Sequence, residues 1–260
     1  KAGLFHTRRL RFRQLVELGR WAEAEVLWQA LDPMGRDWRR NIYRPGDAEY
    51  DYAMFRFRQG DLSEEQLLHV EQLAEAGKNR YVIRFLHGLR GEWRLEQGQW
   101  APAAESLYEA ARMARAVGQT NAKAETQLVL ARFRLDQLPD PRQEAERLAQ
   151  ARKPSHRCLA DLWLAIGDRE QAKKHALLAY KEAWADGEPY VYRYELNKAT
   201  ALLEQLGVEV PKLPPYDPAK DEKLPWEEAV AAAIEKLRAE KEAKNTKENA
   251  DDADSADFRG

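Results

Sequence analysis

Apolar residues along this chain recur at spacings of three and four, and no stretch alternates apolar with polar positions in a sustained way. The first spacing gathers side chains on one stripe of a helix, whereas alternation is the mark of a half-buried strand, so helices are expected throughout. Turn residues punctuate the pattern at Gly19, Gly60, Gly98, near Asp140, and at Gly167 and Gly207. Apart from the shorter step from Asp140 to Gly167, these turns stand about forty residues apart, the length of one helical hairpin. Each unit reads as an apolar and basic helix A, a turn that ends it, and a helix B rich in Ala and Leu. Helix starts are marked by the capping box of Ser63 and Gln66, by Asp140-Pro141, by Pro154-Ser155 and by Glu188-Pro189.

The segments after three of the turns share more than a period. GRWAEAEVLW, GQWAPAAESL and GDREQAKKHA place alanine five residues after the glycine, at Ala24, Ala103 and Ala172, and the first two place tryptophan at Trp21 and Trp100. Trp28, Leu107 and Ala176 follow four residues later, then Ala110 and Ala179, while Gly91 and the Leu159-Ala160 pair with Trp163 precede the turn. This pattern resembles the tetratricopeptide repeat over residues 5–207. The resemblance is carried by the first, third and fifth units; Glu65 stands where the second should have a small residue, and LPDPRQEA interrupts the fourth. It implies an all-α fold, a right-handed superhelix of five to six antiparallel hairpins over residues 1–207, in which A helices line the concave surface.

Beyond Gly207, Pro211, Pro214, Pro215, Pro218 and Pro225 forbid regular helix, so 208–225 reads as a linker or strap. Trp226, Val230, Ile234 and Leu237 then draw one apolar stripe on a helix expected over 226–244, which would cap the array. Residues 245–260 are acidic, poor in apolar side chains and expected to be disordered. The stretch AYKEAWADGEPYVYRYELNKATALLEQLG, with the proline-rich segment after it, resembles the C-terminal end of bacterial multidomain signalling proteins of the STAND (signal-transduction ATPase) type. That resemblance implies a sensor arm, and a first residue of Lys1 fits a piece of a longer polypeptide.

With 44% apolar residues the chain can bury a substantial core. Its net charge of −2 argues against a protein built to neutralise phosphates, although the first 135 residues carry 22 basic and 18 acidic side chains and the remainder 20 and 26. A single cysteine, Cys158, excludes an intramolecular disulfide framework, and no apolar run reaches the roughly 20 residues that span a bilayer. A cytoplasmic location is the expectation.

The chain carries few marks of chemistry. No GxxxxGK[ST] or GxGxxG is present, and His6, His69, His87, His156 and His175 form no HExxH and no i, i+4 pair. His156 and Cys158 point about 200° apart on a helix, which leaves a buried cysteine beside an exposed histidine rather than a nucleophile and its base. No catalytic residue, metal or cofactor is expected. Trp38, Trp184 and Trp226, outside the turn positions, are expected to fill space between helices.

The triplet RFR occurs at 11–13, 56–58 and 132–134, each time in an A helix. The two arginines of a triplet diverge, so at most one can reach a concave groove, while Phe12, Phe57 and Phe133 are expected to pack between helices. Arg13, Arg58, Arg90, Arg94 and Arg134 are therefore the candidate partner-binding residues, suited to carboxylates. The function this implies is a non-catalytic interaction scaffold or sensor that binds an acidic protein segment, or an effector or ATPase domain of the same parent chain. The alternative, from RRLRFR at 8–13 and RDWRR at 36–40, is an arm that contacts nucleic acid.

Overall fold

The computed structural model of the chain describes residues 2–38, 44–222 and 224–256, with side chains described for 3–32, 44–222 and 224–243. The side chains of RDWRR, Trp38 among them, and the last four residues of the chain therefore lie outside the described residues. Among the described residues the fold is all helical, with no strand. The helices are α1 (Ala2–Glu17), α2 (Trp21–Trp38), α3 (Asp47–Gln59), α4 (Glu64–Ala76), α5 (Arg80–Glu96) and α6 (Trp100–Arg115). They continue as α7 (Ala122–Arg134), α8 (Pro141–Ala149), α9 (His156–Ile166), α10 (Arg169–Trp184), α11 (Arg193–Gln205) and α12 (Glu227–Ala256).

The expected turn glycines Gly19, Gly60, Gly98, Gly167 and Gly207 all have positive φ. The fourth turn differs. Asp136, not Asp140, takes the left-handed conformation at φ 54°, and Asp140 instead caps α8 by accepting a hydrogen bond from Gln143 N at 2.9 Å, with Pro141 in its first turn. Moving the turn four residues earlier lengthens the short fourth interval and brings it nearer the others. The capping box on α4 forms in full. Glu188-Pro189 begins no helix, because α11 starts only at Arg193.

Successive helices pack side by side within the hairpins, most extensively α5 on α6, α9 on α10 and α6 on α7. Each odd-numbered helix from α1 to α11 also packs on the next odd-numbered one. The small residues explain how close the pairs come. Ala24, Ala103, Ala110, Ala172 and Ala176 are fully buried, and a Cβ added at Gly91 would stand 2.5 Å from Leu107 Cγ. Gly88, one turn earlier, faces open space with only Ala110 Cβ at 3.9 Å. Gly91→Ala is thus expected to destabilise by about 1–3 kcal/mol through overpacking, and Gly88→Ala to stabilise by up to about 1 kcal/mol through helix propensity. Paired urea titrations read the contrast, and equal effects would dismiss the close approach of α5 and α6.

The chain divides into two compact units, 1–216 and 217–260. In the first, the segment after α11 is a strap rather than a free linker. Val208, Val210 and Leu213 pack on the core of α7 to α11, Trp184 Nε1 donates to Pro214 O at 2.8 Å, and Tyr216 N donates to Glu188 O at 3.1 Å. The last core cluster is thus already covered from within this unit. In the second unit α12 continues past residue 244 to Ala256, a run rich in Ala, Glu, Lys and Asp with no Gly or Pro to stop it. Trp226, Val230, Ile234 and Leu237 are exposed, so Trp226 has no core role. No described helix is long and apolar enough to cross a membrane.

Candidate functional site

The A-helix arginines were expected to line a groove with their charges available. Three of them are instead engaged with carboxylates of the chain itself. Arg58 on α3 pairs with Glu17 on α1 at 2.8 Å and lies 5.8 Å from the Tyr194 ring centre. Arg90 on α5 forms a two-pronged pair with Glu71 at 3.0 and 2.9 Å. Arg94 donates to Ser106 Oγ at 3.1 Å and pairs with Glu64 at 3.1 Å; Glu64 also lies 3.7 Å from Arg90, so these two share one carboxylate. Arg13 is half exposed, with Asp51 at 3.9 Å. In the RRLRFR stretch, Arg9 is likewise turned onto Asp51 at 2.5 Å and Asp47 at 3.0 Å.

Arg134 is the exception. It sits at the end of α7, exposed, with its guanidinium 5.7 Å from the Trp100 ring centre, and it has no carboxylate within ion-pair distance among the described residues. It borders a groove of about 670 Å³ walled by α5, α7, α9, α11 and the start of α6. The helical period builds this groove. Gln127, Leu130 and Arg134 lie on one face of α7, Arg157, Asp161 and Leu164 on one face of α9, and Lys198, Leu202 and Gln205 on one face of α11. Leu95 and Trp100 add apolar wall. Thus the structure brings Arg90 and Arg94 together, places Arg13 and Arg58 elsewhere, and leaves Arg134 alone of the five at this groove.

A charged cluster that sequence reasoning passed over closes one end. Arg157 Nη2 donates to Glu92 at 2.6 Å and its Nε to Glu195 at 2.6 Å, with Asp161 at 3.4 Å. Lys123 Nζ stands 2.7 Å from Glu92 and 3.5 Å from Glu195. Burial alone would raise the Glu92 carboxyl, but the Lys123 and Arg157 charges outweigh it and hold it down at about 2. Enclosure has the upper hand at Asp161, raising it to about 6 against the pull of Arg157 and Lys198. Beside the cluster, Lys198 Nζ and Tyr194 OH both donate to Glu96, at 2.6 and 3.0 Å. The signal available in the sequence was Glu92 itself, which follows the core residue Leu89 by three and so falls at the edge of the buried stripe.

Around His156 the expectation needs a correction. Cys158 is buried, and burial raises its thiol away from nucleophilic reactivity. His156, however, is mostly enclosed rather than exposed. Its Nδ1 lies 2.9 Å from Nδ1 of His175 on α10, and its Nε2 is 3.6 Å from Glu182. Packing of α9 on α10 brings the two rings together, which the sequence distance of nineteen residues hid. Among the described residues no group of three His, Cys, Asp or Glu side chains is placed to hold a metal ion.

The fates of the phenylalanines and tryptophans follow burial. Phe12 and Phe57 are core residues and Phe133 is half-buried. Trp184 packs on the α7 to α11 core, with its indole N–H paired as noted. In comparisons with known proteins, no protein-family model, no curated protein and no solved structure matches this chain.

Proposed function

We propose that this chain is a non-catalytic, tetratricopeptide-like right-handed superhelix that works as an interaction or sensor module of a larger cytoplasmic signalling protein. Its occupant is an acidic segment of a partner protein or of an effector or ATPase domain in the same parent chain. The observation that carries this reading is Arg134: a cation stacked on an aromatic ring, without a carboxylate partner, at the border of an open groove with apolar walls. The packing of odd helix on odd helix supports the superhelix, since stacked hairpins bring equivalent helices into register on one face.

A pool of fluorescein-labelled heptapeptides, each with one to four glutamates, tests the reading by fluorescence polarisation. Arg134→Glu is expected to weaken binding by about ten- to hundredfold, the range of one charge-assisted hydrogen bond converted to affinity. Its melting temperature should stay near that of the wild type, because the side chain is exposed and only its contact with the Trp100 ring, worth about 0.5–1 kcal/mol, is lost. Undiminished binding by the variant would refute the groove assignment.

A further inference from the structure

Gln127 is the side chain in the groove that the rest of the molecule does not explain. The residue is 5% exposed, but its carboxamide is not sealed in: the enclosed polar atoms without a hydrogen-bond partner among the described residues are Arg56 Nε, Arg58 Nη1, Arg90 Nε and Trp163 Nε1, and the Gln127 amide, which makes no hydrogen bond to a described residue, faces the solvent of the groove. Several buried polar side chains of the same unit are paired within it. Asn79 donates to Pro45 O and Asp47, Thr126 to Ala122 O, and Ser106 to Pro102 O. The amide borders an open groove, where a ligand group can take the place of water on it.

A carboxamide offers a carbonyl oxygen and an NH2 group, the complement of a main-chain peptide group. Arg134 lies seven residues further along the same face of α7, about 10.5 Å along the helix axis. That distance is roughly three residues of extended chain. Leu130 stands between the two, so the intervening stretch of ligand crosses an apolar floor. The charges of the groove balance: Glu92, Glu96 and Asp161 on one side of the count, Arg134, Arg157 and Lys198 on the other. A phosphate backbone would meet three carboxylates here, and so would a run of acidic residues. One acid placed at Arg134 meets only the uncompensated cation.

On the reading of the groove as a partner-binding site, we propose that it binds an extended peptide whose main-chain amide pairs with Gln127 and whose single acidic side chain, about three residues away, pairs with Arg134. The peptide pool provides the probe. Members with one glutamate among neutral residues should bind the wild type more tightly than members with four. In the selected peptide, N-methylation of the peptide bond three residues from the glutamate should weaken binding to the wild type by about tenfold, the effect of losing one neutral hydrogen bond in a buried site. Gln127→Leu should weaken the unmodified peptide by a similar factor and be indifferent to N-methylation, while keeping the melting temperature because the amide bonds to no described residue.

An N-methylation effect that is equal in wild type and Gln127→Leu overturns the main-chain contact, as does displacement of the peptide by a mixed-sequence single-stranded oligonucleotide at physiological salt. If peptide binding depends on Arg134 but not on Gln127 or on N-methylation, this inference falls and the function proposed above stands. If no member of the pool binds the wild type, both fall.

Discussion

Replacing Glu92 by glutamine should remove about 3 kcal/mol of unfolding free energy at neutral pH and almost none near pH 2. The figure follows from linkage. An ordinary glutamate titrates near 4.5, and this one is held at about 2 in the folded chain by Lys123 and Arg157. A depressed carboxyl contributes stability that is fully present above the unfolded value of 4.5 and is lost as the pH falls through about 2. Glu92 is only 4% exposed, so little solvent screening discounts the effect. Glutamine keeps the shape but leaves two cations facing each other with only Glu195 between them. Urea titrations of both proteins at neutral and acid pH give the answer. Equal stability at neutral pH would mean that desolvation of the cluster cancels its attraction, as it does in many buried ion pairs.

The histidine pair makes the second large prediction, and its sign is the reverse of the usual histidine case. Burial, and next the neighbouring His156, lowers His175 to about 4 from an ordinary 6.5. The unfolded chain therefore takes up this proton before the folded one, and stability is lost as the pH falls from 6.5 to 4, by about 1–2 kcal/mol once solvent screening is allowed for. Asp161 pulls the other way. Its carboxyl is raised to about 6 from 3.8, so the folded chain binds that proton first and gains stability over the same descent. In wild type the two slopes oppose each other. Asp161→Asn should expose the histidine loss as a steep fall in stability below pH 6.5, and adding His175→Asn should flatten it again. The double variant remaining as acid-sensitive as Asp161→Asn would show that another group carries the loss.

Helical hairpins were legible because the period of three and four and the turn glycines are local properties, each written within a few residues. The fourth turn was misplaced by the same logic. Asp140-Pro141 is a strong start signal for a helix, while Asp136 adopts a left-handed conformation that no glycine announces. The arginines illustrate a different limit. Arg58 and Glu17 are 41 residues apart, and Arg9 stands 42 and 38 residues from Asp51 and Asp47. Those distances are the repeat itself, so stacking one unit on the next supplies the counter-charges. A search for acids one period away from each arginine would have singled out Arg58 as engaged. No such rule reaches Glu92 and Arg157, which are 65 residues apart, or Glu96 and Lys198, at 102. Gln127 was invisible for the opposite reason: a lone glutamine in a helix gives no signal until the fold turns its amide to the groove, where no described residue answers it.

The longest of those contacts all run to α11. Tyr194 packs against Phe57, Arg193 lies against Gly19, and Glu195 and Lys198 reach the α5 and α9 charges. An array in which every unit touches only its neighbours can fray from an end, one hairpin at a time. Here the last helix of the first unit is tied to the first turn of the chain. Opening α11 uncovers Phe57 and the turn at Gly19 together, so amide protons in the first three odd helices and in α11 should exchange as one cooperative block rather than in a gradient along the chain.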